Sequence, residues 1–164
     1  MIICGIDPGF QGGLAFIQPD YAAVTYRMPL IKVDGKSAYD LPRMIGLIAQ
    51  MGKTPLFVVL EHASAGPGAG ATGMFRYGEG FGLWRGVLAA LGVPCELVRP
   101  VLWKKAMMNG RGKEKREAIS RAQELFPQLV RRDPGQTRGL TDGEAEALLL
   151  AEWGRRYAVP KENR

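Results

Sequence analysis

The sequence predicts an α/β domain built on a mixed sheet, and three observations carry that expectation. Short apolar segments separated by turn-forming residues fill the first 28 positions, as in an antiparallel meander. Beyond residue 40, helical and extended patterns alternate, which places helices against the faces of a sheet. The run Leu56-Phe57-Val58-Val59-Leu60 is apolar at every position, so its strand should be covered on both faces. With 164 residues there is room for one such domain and not comfortably for two.

Ile2–Ile6 reads as a buried strand, closed by the turn Asp7-Pro8-Gly9-Phe10-Gln11-Gly12-Gly13. Leu14–Ile17 is the antiparallel return, and Ala22–Met28 a third strand after the Pro19-Asp20 connection. Leu41, Met44, Ile45, Ile48 and Ala49 recur at helical spacing across 40–51. Asp40 is the cap there, and Pro42 is tolerated in the first turn. Thr54–Glu61 is the fourth strand. A glycine-rich loop from Ala63 to Gly73 leads to a helix over Met74–Leu91, and Pro94–Val98 is the fifth strand. Helices follow over Val101–Met108, Lys113–Leu125 and Asp142–Tyr157. The whole is a five-stranded mixed sheet with helices on both faces.

Composition is that of an ordinary globule, 46% hydrophobic and 23% charged. The N-terminal apolar stretch has no basic leader and is too short to span a bilayer, so neither signal peptide nor membrane helix is expected. Cys4 and Cys95 fall in separate strands and are expected to be reduced core residues. The net charge of +6 is uneven. Between Arg99 and Arg138 there are eleven Lys and Arg against four Asp and Glu, so that segment holds the entire excess. A basic surface of this kind suits a polyanion.

Of the acidic residues outside the basic segment, four stand out by position: Asp7, Glu61, Asp142 and Glu146. Asp7 and Glu61 each close a buried apolar run. If their two strands pair in parallel across the first crossover, the carboxylates emerge side by side at the strand ends, where such sheets bind ligands. Thr141-Asp142-Gly143-Glu144 matches a capping box, which accounts for Glu144. At about 100° per residue, Glu146 lies some 40° from Asp142, so these two share a helix face and repel. Carboxylates gathered this way call for cations between them, and a pair of divalent metals doing phosphodiester cleavage is the natural chemistry.

Other motifs compete for attention. Gly68-Ala69-Gly70-Ala71-Thr72-Gly73 satisfies G-x-G-x-x-G, with Glu96 downstream, which leaves a small nucleotide-binding enzyme as an alternative reading. The fingerprint wants its turn directly after the strand, yet Gly68 comes seven positions after Glu61. No G-K-[ST] follows, which excludes a P-loop. As a DNA-facing flap, the glycine loop would present Met74-Phe75-Arg76-Tyr77, where aromatics beside a cation can stack on unpaired bases. Gly78, Gly82 and Gly86 form an i, i+4, i+8 stripe that suits very close helix approach, while Leu83, Val87 and Leu91 face the sheet. Arg99, Lys104, Lys105, Arg111, Lys113, Lys115 and Arg116 are the expected phosphate contacts. Trp103 is read as a packing anchor and His62 as a structural residue on the opposite sheet face from Glu61.

Taken together, Asp7-Pro8-Gly9 with Gly12-Gly13-Leu14-Ala15, Val59-Leu60-Glu61, Pro100-x-x-Trp103-Lys104-Lys105 and Asp142-Gly143-x-x-Glu146-Ala147-Leu148-Leu149-Leu150-Ala151 resemble the RuvC-type Holliday junction resolvases. The phage branch of that family is the nearest in pattern, and the matching segments run from residue 1 to about 154. The resemblance implies a ribonuclease H-like fold and a homodimer. It also implies nicking of opposed strands in four-way DNA junctions with two Mg²⁺ or Mn²⁺ per active site. The family's four acidic positions fall on Asp7, Glu61, Asp142 and Glu146. Cellular members usually carry two aspartates three apart in the last helix, whereas here the spacing is four and one member is Glu. The family's junction-inserting aromatic falls near Phe75, with Tyr77 in reserve, and its dimer helix falls on the Gly78, Gly82 and Gly86 stripe. A cytoplasmic location in a bacterial host follows from the same resemblance. A branched-DNA binder that keeps the fold without cleaving is the remaining alternative.

Overall fold

A computed structural model describes residues 1–62, 70–108, 110, 115–131 and 139–159. The chain opens with a meander of β1 (Ile2–Asp7), β2 (Gly13–Ile17) and β3 (Ala23–Arg27). It continues through β4 (Leu30–Val33), β5 (Lys36–Tyr39), α1 (Leu41–Ala49), β6 (Leu56–Glu61), α2 (Ala71–Ala90) and β7 (Cys95–Val98). Then come α3 (Pro100–Met108), α4 (Lys115–Leu125), β8 (Val130–Arg131) and α5 (Asp142–Trp153), which runs on as a π-helical turn over Gly154–Ala158. The main sheet has the order β7-β6-β1-β2-β3-β8. Its first five members are the five expected strands, and the two-residue β8 adds a short edge beside β3.

The crossover expectation holds in detail. β6 pairs parallel to β1 with Ile6 opposite Leu60, and β7 pairs parallel to β6 with Val98 opposite Glu61. β2 returns antiparallel with Gly13 opposite Asp7. Asp7 and Glu61 therefore end adjacent strands at the same level.

Two apolar layers cover the sheet. Ile2, Cys4, Ile6, Val58 and Leu60 pack with Met44, Ile48, Trp84 and Leu88 from α1 and α2. Ile3, Val59 and Val98 pack with Trp103, Met107 and the Leu148–Ala151 stretch from α3 and α5. Helix α5 is buried nearly all round, as its unbroken Ala-Leu-Leu-Leu-Ala run requires. It crosses β1 at Gly5, where a Cβ would collide with the carbonyl of Ala147 and the amide of Ala151. That close crossing brings the N-terminal end of α5 to the end of β1 that carries Asp7.

The local expectations meet three corrections. Residues 30–39 form a hairpin whose turn residues Asp34 and Gly35 both have positive φ, 49° and 74°. This is the Asp-Gly signature of a tight hairpin, overlooked between two stronger patterns. Helix α2 starts at Ala71, three residues before the expected Met74, so Met74-Phe75-Arg76-Tyr77 lies within its first two turns. Its inner face is Gly80, Trp84, Val87 and Leu88, an i, i+4, i+7, i+8 set, while Leu91 is exposed and Leu83 only partly buried. Both cysteines are free as expected, but only Cys4 is a core residue; Cys95 is exposed, because β7 is the edge strand of the main sheet.

Candidate functional site

The turn after β1 is shaped by Asp7 itself, whose Oδ1 accepts the amide of Gly9 at 3.2 Å. Glu61 arrives from β6 with its side chain buried, because Trp103 and Tyr77 close over it from α3 and α2. The Trp103 indole donates to Oε1 at 2.8 Å, and the Tyr77 hydroxyl donates to Oε2 at 2.7 Å. Glu146 projects from the second turn of α5 and pairs with the ammonium of Lys104 at 2.8 Å. Asp142 occupies the first turn of α5, where the helix N-terminus favours negative charge. It borders an open cleft of about 510 Å³ shared with Phe10, Gln11, Gly12 and Arg27.

These carboxylates sense one another. Burial raises the Asp7 pKa to about 7, helped by the charges of Glu61 and Glu146 and opposed by the Gly9 amide and Lys104. Burial also raises Glu146, with Glu61 and Asp142 adding to the shift and Lys104 working against it. The Tyr77 hydroxyl is driven far above its ordinary range, first by burial and then by the charges of Glu61 and Asp7, so it stays a donor. Glu144 is different, as its capping box implied. Thr141 and Glu144 cap α5 reciprocally, and the fully buried carboxylate also accepts the Thr25 hydroxyl at 3.1 Å, tying α5 to β3.

Hard oxygen donors in this number are the chemistry that Mg²⁺ or Mn²⁺ takes, and the mutual repulsion of Asp7, Glu61 and Glu146 is what such a cation relieves. Among the described residues, however, no three His, Cys, Asp or Glu side chains are grouped closely enough to hold a metal ion as they stand. Both Glu61 oxygens point to neutral donors, and a Glu146 oxygen points to Lys104.

The remaining site residues of the sequence reading divide clearly. Phe75 is 73% exposed on the outer side of α2, which removes it from the core. Arg76 lies over the Phe10 ring, 5.1 Å from its centroid, and Tyr77 turns inward to Glu61. Lys105 and Arg116 are exposed, and Lys104 stands at the carboxylates. Arg111 and Lys113 lie outside the described residues, as do 63–69 of the glycine loop; of Lys115 only the backbone is described. Gly78, Gly82 and Gly86 are exposed, and a Cβ on any of them would meet nothing within 4 Å. Among the described residues the stripe is thus not used for packing. His62 sits edge-on to Phe81 of α2, on the sheet face opposite Glu61.

Tyr39 and Gly80 carry no signal in the sequence, and Trp103 does more than the packing expected of it. Tyr39 donates to, or sits within hydrogen-bond reach of, the carbonyls of Pro8 and Arg76, both at 2.9 Å, joining the Asp7 turn to α2. Gly80 makes room for that hydroxyl, since a Cβ there would strike Tyr39 and the Pro8 carbonyl. Trp103 is more than packing. A buried indole N–H needs an acceptor, and that requirement was the available signal linking it to a strand-end carboxylate.

No protein-family model and no curated protein matches the chain. Among solved structures, RuvC of T. thermophilus in complex with a Holliday junction substrate aligns with a TM-score of 0.60 and 17% identity. It covers 96% of this chain and 94% of that one. A second Thermus thermophilus RuvC structure gives 0.55 and 18%, over 96% and 95%. The yeast mitochondrial Holliday junction resolvase Ydc2 gives 0.51 and 13%, over 94% and 78%. At such identities the likeness shows the fold, which is ribonuclease H-like.

Proposed function

We propose that this chain is a metal-dependent endonuclease that nicks opposed strands of four-way DNA junctions as a homodimer. The observation that carries the reading is the convergence of Asp7, Glu61 and Glu146 at one end of the sheet, where the charge of Glu61 adds to the raised pKa of both Asp7 and Glu146. That they do so in a fold shared with solved Holliday junction resolvases adds support. The motif spacing further suggests the phage-like branch of that group.

In this reading Asp7, Glu61, Asp142 and Glu146 would hold two Mg²⁺ or Mn²⁺ ions. The bound ions supply an activated water and stabilise the departing 3′-oxygen. The chain's own contribution is placement. Tyr77 and Trp103 hold Glu61, and the Gly9 amide holds Asp7. Lys104, paired with Glu146 at 2.8 Å, stands where its ammonium could meet the scissile strand. Lys105, Arg116 and the basic residues Arg111, Lys113 and Lys115 bind phosphates along the arms, while exposed Phe75 stacks at the unpaired centre. The open glycine stripe of α2 suits the two-fold contact that sets two sites on opposed strands.

The test is a plasmid carrying an extruded cruciform, incubated with the protein with and without Mg²⁺. The reading expects linear product from paired nicks in Mg²⁺ and none in EDTA. Tight junction binding without cleavage in either Mg²⁺ or Mn²⁺ would move the chain to the non-catalytic alternative.

A further inference from the structure

Glu61 is the last residue of β6, so the strand fixes its backbone but not its carboxylate. The side chain has three rotatable bonds, and a free carboxylate there would sample several rotamers. Instead each oxygen is claimed by a separate donor from a separate helix, the Trp103 indole of α3 on Oε1 and the Tyr77 hydroxyl of α2 on Oε2. Charge-assisted bonds of this kind are short and directional. Each carboxylate oxygen carries two lone pairs, so one donor apiece still leaves one lone pair on each for a cation.

We infer that Tyr77 and Trp103 are positioning residues that orient the Glu61 carboxylate for a divalent cation. The inference rests on the metal reading of the site given above. It also joins that site to the outer surface. Tyr39 ties the Arg76 carbonyl of α2 to the Pro8 carbonyl of the Asp7 turn. The first turns of α2 thus hold Glu61 directly through Tyr77 and the Asp7 turn through Tyr39, while presenting Phe75 outward. A shift of α2 alters two carboxylates together.

The test is Mn²⁺ binding without DNA, read as loss of the free-ion electron paramagnetic resonance signal. It uses the wild type, Tyr77→Phe, Trp103→Phe and Glu61→Gln. Groups that orient a metal ligand typically contribute about 10- to 100-fold in metal affinity, so each positioning variant should bind Mn²⁺ about 10-fold more weakly. Nicking by Tyr77→Phe should recover as Mg²⁺ is raised, a response that a packing defect would not give. Mn²⁺ affinity within about two-fold of wild type for both positioning variants, with Glu61→Gln strongly impaired, would overturn the inference and leave the metal reading standing. Equal Mn²⁺ binding by the wild type and Glu61→Gln would overturn both. Should Trp103→Phe fail to fold, Tyr77→Phe decides, since it removes one oxygen and keeps the ring.

Discussion

The two ends of α5 each carry buried acidic side chains, and they are solved in opposite ways. At the C-terminal end Glu152 is buried, which by itself would raise its pKa. Arg155 and Arg156 reverse that shift and leave Glu152 below the ordinary range. Arg155 reaches both carboxylate oxygens, at 2.6 and 2.8 Å, and Arg156 adds a third contact at 2.6 Å. At the N-terminal end Glu146 and its neighbour Asp7 are raised, although Lys104 pairs with Glu146 and Arg27 lies 3.8 Å from the capping Glu144. The Glu152 carboxylate is held by two arginines that lower it, whereas Asp7 and Glu146 stay raised beside a single lysine. Clusters of the same residue types thus differ in their donors, and the proposed function rests on the second.

Charge removal is the harshest way to probe this contrast. Asp7→Asn and Glu61→Gln should each cut nicking by about 100- to 1,000-fold, the usual loss when a group stabilising transition-state charge is removed. Junction affinity in Ca²⁺ should stay near wild type, measured by electrophoretic mobility shift. Glu152→Gln should do the reverse. It leaves two arginines against a weakened partner and should cost about 2–4 kcal/mol in urea unfolding. Nicking per folded molecule should be unchanged. Loss of catalysis in folded Glu152→Gln would erase the distinction between the two ends.

A smaller effect comes from pH. The folded-state pKa of Asp7 lies above its ordinary 3.8, at about 7. The folded protein thus binds more protons than the unfolded chain between those values, and stability falls as pH rises from about 4 to 7. Three pKa units correspond to about 4 kcal/mol, but the side chain keeps some solvent contact, so about 1–3 kcal/mol is expected. In EDTA, Asp7→Asn should match the wild type near pH 4 and exceed it by that amount at pH 8. Glu152 carries the opposite sign: its contribution is present at neutral pH and fades as pH falls below the ordinary glutamate value. Superimposable stability–pH curves for the wild type and Asp7→Asn would refute the unrelieved charge.

The sequence made the backbone of this site readable because strand ends and helix faces follow from periodicity. The parallel level of Asp7 and Glu61, the shared face of Asp142 and Glu146, and the capping role of Glu144 all depend on residue spacing. Contacts between elements were less legible. Nothing in the order of residues says that Tyr77 turns inward while Phe75 turns outward, because that depends on where α2 begins, and Ala71 gave no strong start signal. With only Gly70 as its cap and no side-chain cap bond, the helix starts where tertiary packing of Gly80 and Trp84 sets it. The same limit hid Tyr39, whose hydroxyl crosses from the 30–39 hairpin to two other segments.

The claim that the Asp7 end of the sheet waits for a cation is tested most directly by thermal unfolding at pH 8, with Mg²⁺ titrated from zero. Ligand at about 100 times its Kd stabilises by about 2.7 kcal/mol, which is roughly 5–10 °C for a chain of this size. The account predicts that rise for the wild type and little or none for Asp7→Asn, whose melting point already starts higher. An Asp7→Asn variant that gains as much from Mg²⁺ as the wild type, or a wild type that gains nothing, would contradict it.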